Sequence, residues 1–354
     1  MRIGLMLPAQ PDIKWKLARQ IGVDYAITKA APELTGLAAP WDFEALRQIK
    51  ESFTEAGFKL AALEGDEFDM SRIKLGLPGR DEDIEKYCEM LKNMGKLEIP
   101  LICYNFMAEI GWFRTRTDIP ERGGALTSGF DIRDIDNEEL TIAGKLTEDR
   151  IWSNYKYFIK AVIPAAEKAG VKMGLHPDDP PISPIRGISR IFTSAENFRK
   201  ALKIIDSPSH GITFCQATFK AMGENIFQLI EEFGKKGKIF FAHFRDIKGN
   251  AECFQETFHD NGPTDMVKAL EYYLRYTHVN TLIRPDHTPT MAGENNSNPG
   301  YEMQGRLFAV GYMKGIMDSI EIKHYNERFS KNNRKKDTTR SWITRAYSPT
   351  VKTI

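Results

Sequence analysis

Short apolar runs alternate with amphipathic ones along most of the chain. The runs that read as strands are RIGLML (2–7), VDYAI (23–27), FKLAAL (58–63), IPLICYN (99–105), VKMGLH (171–176), GITFC (211–215), KIFFAHF (238–244) and NTLIRPD (280–286). Between them, apolar residues recur at helical spacing over 42–57, 80–95, 147–170, 194–205, 224–237 and 264–277. Gly57, Gly95 and Gly170 close three of these stretches, where a glycine commonly stops a helix. Strands this continuously apolar suit a parallel sheet covered on both faces. Eight strand–helix units predict an α/β fold, a closed (β/α)8 barrel. A doubly wound open sheet is the alternative, but no GxGxxG follows the first strand, so its dinucleotide-binding version has no support.

Two regions break the rhythm. Residues 106–146 follow the fourth strand and are polar and poorly periodic; a long insertion there reads as an active-site lid or as a disordered loop. The barrel is expected to span 1–323. Residues 324–354 carry eight Lys/Arg against two Asp/Glu and read as a basic C-terminal extension or oligomer arm.

Composition narrows the function classes. The chain has 354 residues, 42% apolar and 27% charged, with a formal net charge of +1. That balance gives no reason to expect nucleic acid or a membrane as partner. No run approaches the roughly 18–20 apolar residues of a membrane span, and the N-terminus is charged too early for a signal peptide. Four cysteines, none in a CxxC pair, make no disulfide scaffold, so reduced thiols in a cytoplasm are the expectation.

The candidate chemistry lies at strand ends. His176 ends the fifth predicted strand, Cys215 the sixth, His243 the seventh and Asp286 the eighth. Strand ends form the active-site rim of such barrels. A lone buried His or Cys is more often a core residue, but four ligand types at equivalent positions point to a metal site. In GLHPDDPP (174–181), Pro177 holds His176 extended, a stiff mount for a ligand, and Asp178 and Asp179 follow as supporting partners or loop caps. Two imidazoles, a thiolate and a carboxylate suit Zn²⁺, Mn²⁺, Fe²⁺ or Co²⁺. A closed structural zinc site normally uses close-spaced ligands, so a catalytic metal is the better reading. His287 and Tyr301 then form a candidate acid–base pair. Arg284, Arg245 and Arg114 are candidates to hold an anionic substrate, although internal salt bridges are an equal reading. Trp112 and Asn105 are candidates to close the pocket.

GLHPDDPP, TFCQ, FAHFRD, RPDH and GYEMQGRLFAVGYMKG, in that order, resemble the mannonate dehydratase family, as do the opening MLPAQ and the GWFRT of the insertion. The resemblance runs from residue 1 to about 323. It implies a xylose-isomerase-like barrel that converts D-mannonate to 2-keto-3-deoxy-D-gluconate and water in hexuronate breakdown. It implies Mn²⁺, with Fe²⁺ or Co²⁺ as substitutes, on His176, Cys215, His243 and Asp286, and proton transfer by His287 and Tyr301. A homo-oligomer, specifically a dimer, is the expected assembly. A metal-dependent sugar isomerase or epimerase on the same barrel and a non-catalytic sugar-acid sensor are the competing readings.

Overall fold

The computed structural model describes residues 1–336; 337–354, most of the expected extension, lie outside the described residues. Twelve strands are present among the described residues. Eight form a closed barrel: β1 (Arg2–Met6), β2 (Tyr25–Thr28), β3 (Lys59–Glu64), β4 (Leu101–Tyr104), β7 (Lys172–Leu175), β8 (His210–Cys215), β9 (Ile239–Phe244) and β12 (Leu282–Pro285). All neighbouring pairs are parallel, and β1 closes on β12 through Arg2 opposite Leu282. Each predicted strand run overlaps one of these eight, with β2, β3 and β8 each reaching one residue beyond the predicted bounds.

The helices shield the barrel for the reason their patterns predict. In Phe43–Glu55, Asp42 caps the first turn by accepting from the Ala45 amide, and Ala45, Leu46, Ile49 and Phe53 are buried on one face. In Glu148–Ala169, Thr147 caps the start and Gly170 ends the helix at φ 71°. A shorter helix, Ile13–Gln20, joins β1 to β2. The last helix runs Met303–Lys336, straight through the boundary expected at 324.

The 106–146 insertion contains β5 (Arg116–Pro120) and β6 (Leu126–Asp131). They join β10 (Ile247–Gly249) and β11 (Cys253–Glu256), a hairpin after β9, in an antiparallel sheet ordered β10-β11-β6-β5. Two chain excursions thus build one small sheet. It meets the barrel where Leu126 bridges Thr290, just past β12.

Inside the barrel, Ile27, Ala62, Leu101, Phe241 and Leu282 form an apolar layer. Side chains alternate along a strand, so the residues two steps further face the same interior. Those residues are Lys29, Glu64, Cys103, His243 and Arg284. On β7 the corresponding pair is Gly174 and then His176. A Cβ on Gly174 would lie 2.6 Å from Thr213 Oγ1, so only glycine leaves room there for β8. The barrel therefore changes from an apolar to a polar filling over a single layer.

Candidate active site

Strand register sets the candidate ligands side by side. Cys215 pairs with His243, and His243 with Arg284, across β8, β9 and β12. Ligand atoms of His176, Cys215 and His243 all lie within 4.8 Å of one another. Asp286 Oδ2 is 3.8 Å from both Cys215 Sγ and His243 Nδ1. His176 Nδ1 is 2.7 Å from the Pro177 carbonyl, so Nδ1 carries the proton and Nε2 keeps its lone pair. Burial lowers the His176 pKa, which favours the neutral, ligating form.

Two observations fit these residues to a metal ion. Both ring nitrogens of His243 are buried and have no hydrogen-bond partner, a costly arrangement unless a ligand satisfies one of them. The charges are also unbalanced: Arg114, Arg245 and Arg284 face four carboxylates, Asp179, Glu256, Asp286 and Glu64. A buried surplus of negative charge suits a cation.

A second group, Glu64, Cys103 and His243, also comes within 4.8 Å. It is the poorer site. Glu64 receives Arg284 on both oxygens, with Nη2 at 2.6 Å and Nε at 3.2 Å, much as Asp286 receives Arg245 at 2.6 Å, so the thiol separates the two groups. Burial pushes the Cys103 thiol well above its ordinary pKa, aided by Glu64, so it stays protonated. Burial would raise Glu64 itself, but Arg284 and His243 outweigh this and hold its pKa at about 2. Sequence reasoning missed Glu64, although its place at the end of β3, two steps past Ala62, matches that of His243.

His287 and Tyr301 meet: His287 Nε2 is 3.1 Å from the Tyr301 hydroxyl. Burial raises the Tyr301 pKa against the pull of Arg284. Trp112, from the insertion, packs edge-on at 5.0 Å from the His287 ring. All three line a cavity of about 310 Å³ at the C-terminal mouth of the barrel, together with Asn105, His176, His243 and Arg284. That is the low end of the ~300–1,000 Å³ usual for small-molecule sites. Asn105 is fixed by Lys74 Nζ at 2.8 Å and the Met107 amide at 3.0 Å.

Arg114 and Arg245 do not line this cavity. Both are buried and spend their nitrogens on carboxylates, which makes them internal ion pairs. Arg114 donates to Asp179 at 2.7 and 2.9 Å and to Glu256 at 2.6 Å. Arg245 donates to Asp286 at 2.6 Å and Asp179 at 2.7 Å. Asp179 is therefore a structural anchor, and Asp178 accepts from the Phe192 amide at 2.8 Å. Glu256, on β11, accepts from His287 Nδ1 at 2.8 Å. It was not foreseen, because nothing in the local sequence links a hairpin after β9 to His287.

No helix among the described residues is long and apolar enough to cross a membrane. All four cysteines are free.

Comparisons with known proteins assign a family. A family described as D-mannonate dehydratase (UxuA) matches residues 12–148 and 137–327. Mannonate dehydratase from Thermotoga maritima is 34% identical over 316 residues, 79% of this chain and 87% of the relative. The Streptococcus pneumoniae enzyme is 32% identical over 82% of this chain and 88% of its own. A crystal structure of mannonate dehydratase from Streptococcus suis serotype 2 superimposes with a TM-score of 0.80 at 30% identity, covering 89% of this chain and 93% of the other. A xylose isomerase domain protein from Planctomyces limnophilus, at 14% identity and a TM-score of 0.59, shares the barrel alone. The chain belongs to the D-mannonate dehydratase family, a family of hydro-lyases on a xylose-isomerase-like barrel.

Proposed function

We propose that this chain dehydrates D-mannonate to 2-keto-3-deoxy-D-gluconate, with Mn²⁺ held by His176, Cys215, His243 and Asp286 and protons moved by His287 and Tyr301. The observation that carries this reading is the 3.1 Å contact between His287 Nε2 and the Tyr301 hydroxyl, in the same cavity as His176 and His243. Fe²⁺ and Co²⁺ suit the same mixed donor set. When bound, a divalent ion supplies Lewis-acid stabilisation of charge on the substrate carboxylate, typically worth several kcal/mol.

The reaction breaks the C2–H and C3–O bonds and forms a C2=C3 double bond; the resulting enol then becomes the 2-keto acid. One member of the His287–Tyr301 pair takes the C2 proton and the other protonates the departing C3 hydroxyl, so that water leaves. Arg284 lines the cavity and is the candidate to receive the substrate carboxylate. Trp112 and Asn105 bound the space for the rest of the molecule and limit access of water. Arg114 and Arg245 act from behind the wall, fixing the carboxylates that support the site.

The test is incubation with D-mannonate and assay for a 2-keto-3-deoxy acid, with metal content measured alongside. Chelation should abolish turnover, and Mn²⁺ should restore it better than Mg²⁺. Cys215→Ser should lower bound metal while leaving the barrel folded. No product from metal-loaded protein, or full turnover from protein shown to be metal-free, would overturn the proposal.

A further inference from the structure

We propose that Glu256 is the positioning residue that fixes His287 in one tautomer, and that the small outer sheet carries it there as a working part of the site. This rests on the reading of His287 as a proton-transfer group.

Glu256 Oε1 lies 2.8 Å from His287 Nδ1. The same oxygen accepts from Arg114 Nη2 at 2.6 Å and from Arg245 Nη1 at 3.3 Å, and Oε2 accepts from Ser128 Oγ at 2.9 Å. A carboxylate between two guanidinium groups stays ionised, so it can only accept. His287 Nδ1 must therefore carry the proton. A neutral imidazole then has its lone pair on Nε2, the nitrogen that faces the Tyr301 hydroxyl and the cavity. His287 thus enters the reaction as an acceptor at Nε2, with Tyr301 as the donor to it.

Without that carboxylate the ring could rotate or take the opposite tautomer, placing an N–H where a lone pair is needed. Glu256 touches neither the cavity nor the candidate metal ligands' donor atoms, so its effect must pass through His287 and the buried arginines. The four groups that hold it have separate origins. Arg114 and Ser128 belong to the excursion after β4, Arg245 follows β9, as Glu256 itself does, and His287 follows β12. The outer sheet accordingly reaches the site through its hydrogen bonds as well as through the cover supplied by Trp112.

The test is a double-mutant cycle on the metal-loaded protein, using Glu256→Gln and His287→Asn singly and together. Glu256→Gln in the otherwise native chain should lower kcat by roughly 10–100-fold, with KM for D-mannonate and bound metal near native values. In the His287→Asn background the same change should cost less than about threefold, because the route through His287 is gone and only the weaker one through the arginines remains. A purely structural Glu256 would give equal losses in both backgrounds, or losses of metal and folded protein in parallel, and either result overturns the inference. Native kcat in Glu256→Gln overturns it as well. Because the amide also weakens the grip on Arg114, Ser128→Ala is the companion variant: it loosens Glu256 from the sheet and leaves the His287 contact in place. A loss there as large as that of Glu256→Gln would assign the effect to the sheet's stability and overturn the positioning role. If His287→Asn itself keeps native kcat, what fails is the underlying reading of His287, and the two failures are thus distinguished.

Discussion

Glu64 grips Arg284, its Oε1 2.6 Å from Arg284 Nη2, while Arg284 Nη1 reaches to 2.8 Å from Asp286 Oδ1. The guanidinium is thereby held between two carboxylates with its orientation set before substrate arrives. Glu64→Gln removes the charge but keeps the shape, and Arg284 would lose half of its hold. The expected outcome is a fall of roughly 10–100-fold in kcat/KM, carried mostly by KM, with bound metal unchanged. Steady-state kinetics with metal analysis checks this; loss of metal at constant KM would instead make Glu64 a ligand.

Asp179 joins two arginines, accepting from Arg114 at 2.7 Å and Arg245 at 2.7 Å with all three side chains almost fully buried. Breaking such a pair from one side leaves uncompensated charge in a low-dielectric interior. Asp179→Asn should therefore destabilise the fold by about 3–5 kcal/mol. Replacing Arg114 and Asp179 together by apolar residues of similar size should cost less than the single change. Denaturant unfolding of the three proteins decides it: equal losses for the single and double variants would show that packing, not charge, governs the site.

His210 supplies a pH dependence. It is buried on β8, with Nδ1 3.1 Å from the Ile205 carbonyl and Nε2 3.2 Å from the Tyr155 hydroxyl. Burial lowers its pKa from 6.5 to about 4. Between those two values the unfolded chain binds the extra proton and the folded one does not, so stability falls as pH drops through that window. The contribution is fully present above about pH 6.5, and its full loss below pH 4 amounts to about 3 kcal/mol. Unfolding free energies at pH 7.5 and 5 should thus differ less in His210→Asn than in the native chain, by about 2 kcal/mol. Identical pH dependence in both proteins would remove His210 as the source.

The eight barrel strands were legible because each is an apolar run bounded by polar or helical sequence, and their ends carried His176, Cys215, His243 and Asp286 into view. The helix Ile13–Gln20 was not, since only Trp15 and Ala18 of its eight residues are buried, too few to set a period. Strand β5 alternates between exposed and half-buried positions and carries a single aliphatic residue, Ile119, so it reads as loop until β6 pairs with it. Glu64 ends a strand as His243 does, but a glutamate there is unremarkable until Arg284 is seen opposite. The contrast between Arg284 and the pair Arg114 and Arg245 was also out of reach, because which carboxylates neutralise an arginine depends on contacts between residues as far apart as 114 and 256.

Strands β6 and β11 are neighbours in the outer sheet although Asp131 and its partner Cys253 are separated by more than a hundred residues. Neither excursion has a complete set of strand partners in its own segment. A family member that acquired a new loop after β4 would expose the edge of β11, and one that altered the hairpin after β9 would strand β6. The two segments are therefore bound to diversify together, as a single inheritable unit, and transplanting the mouth of this barrel into a relative means moving both.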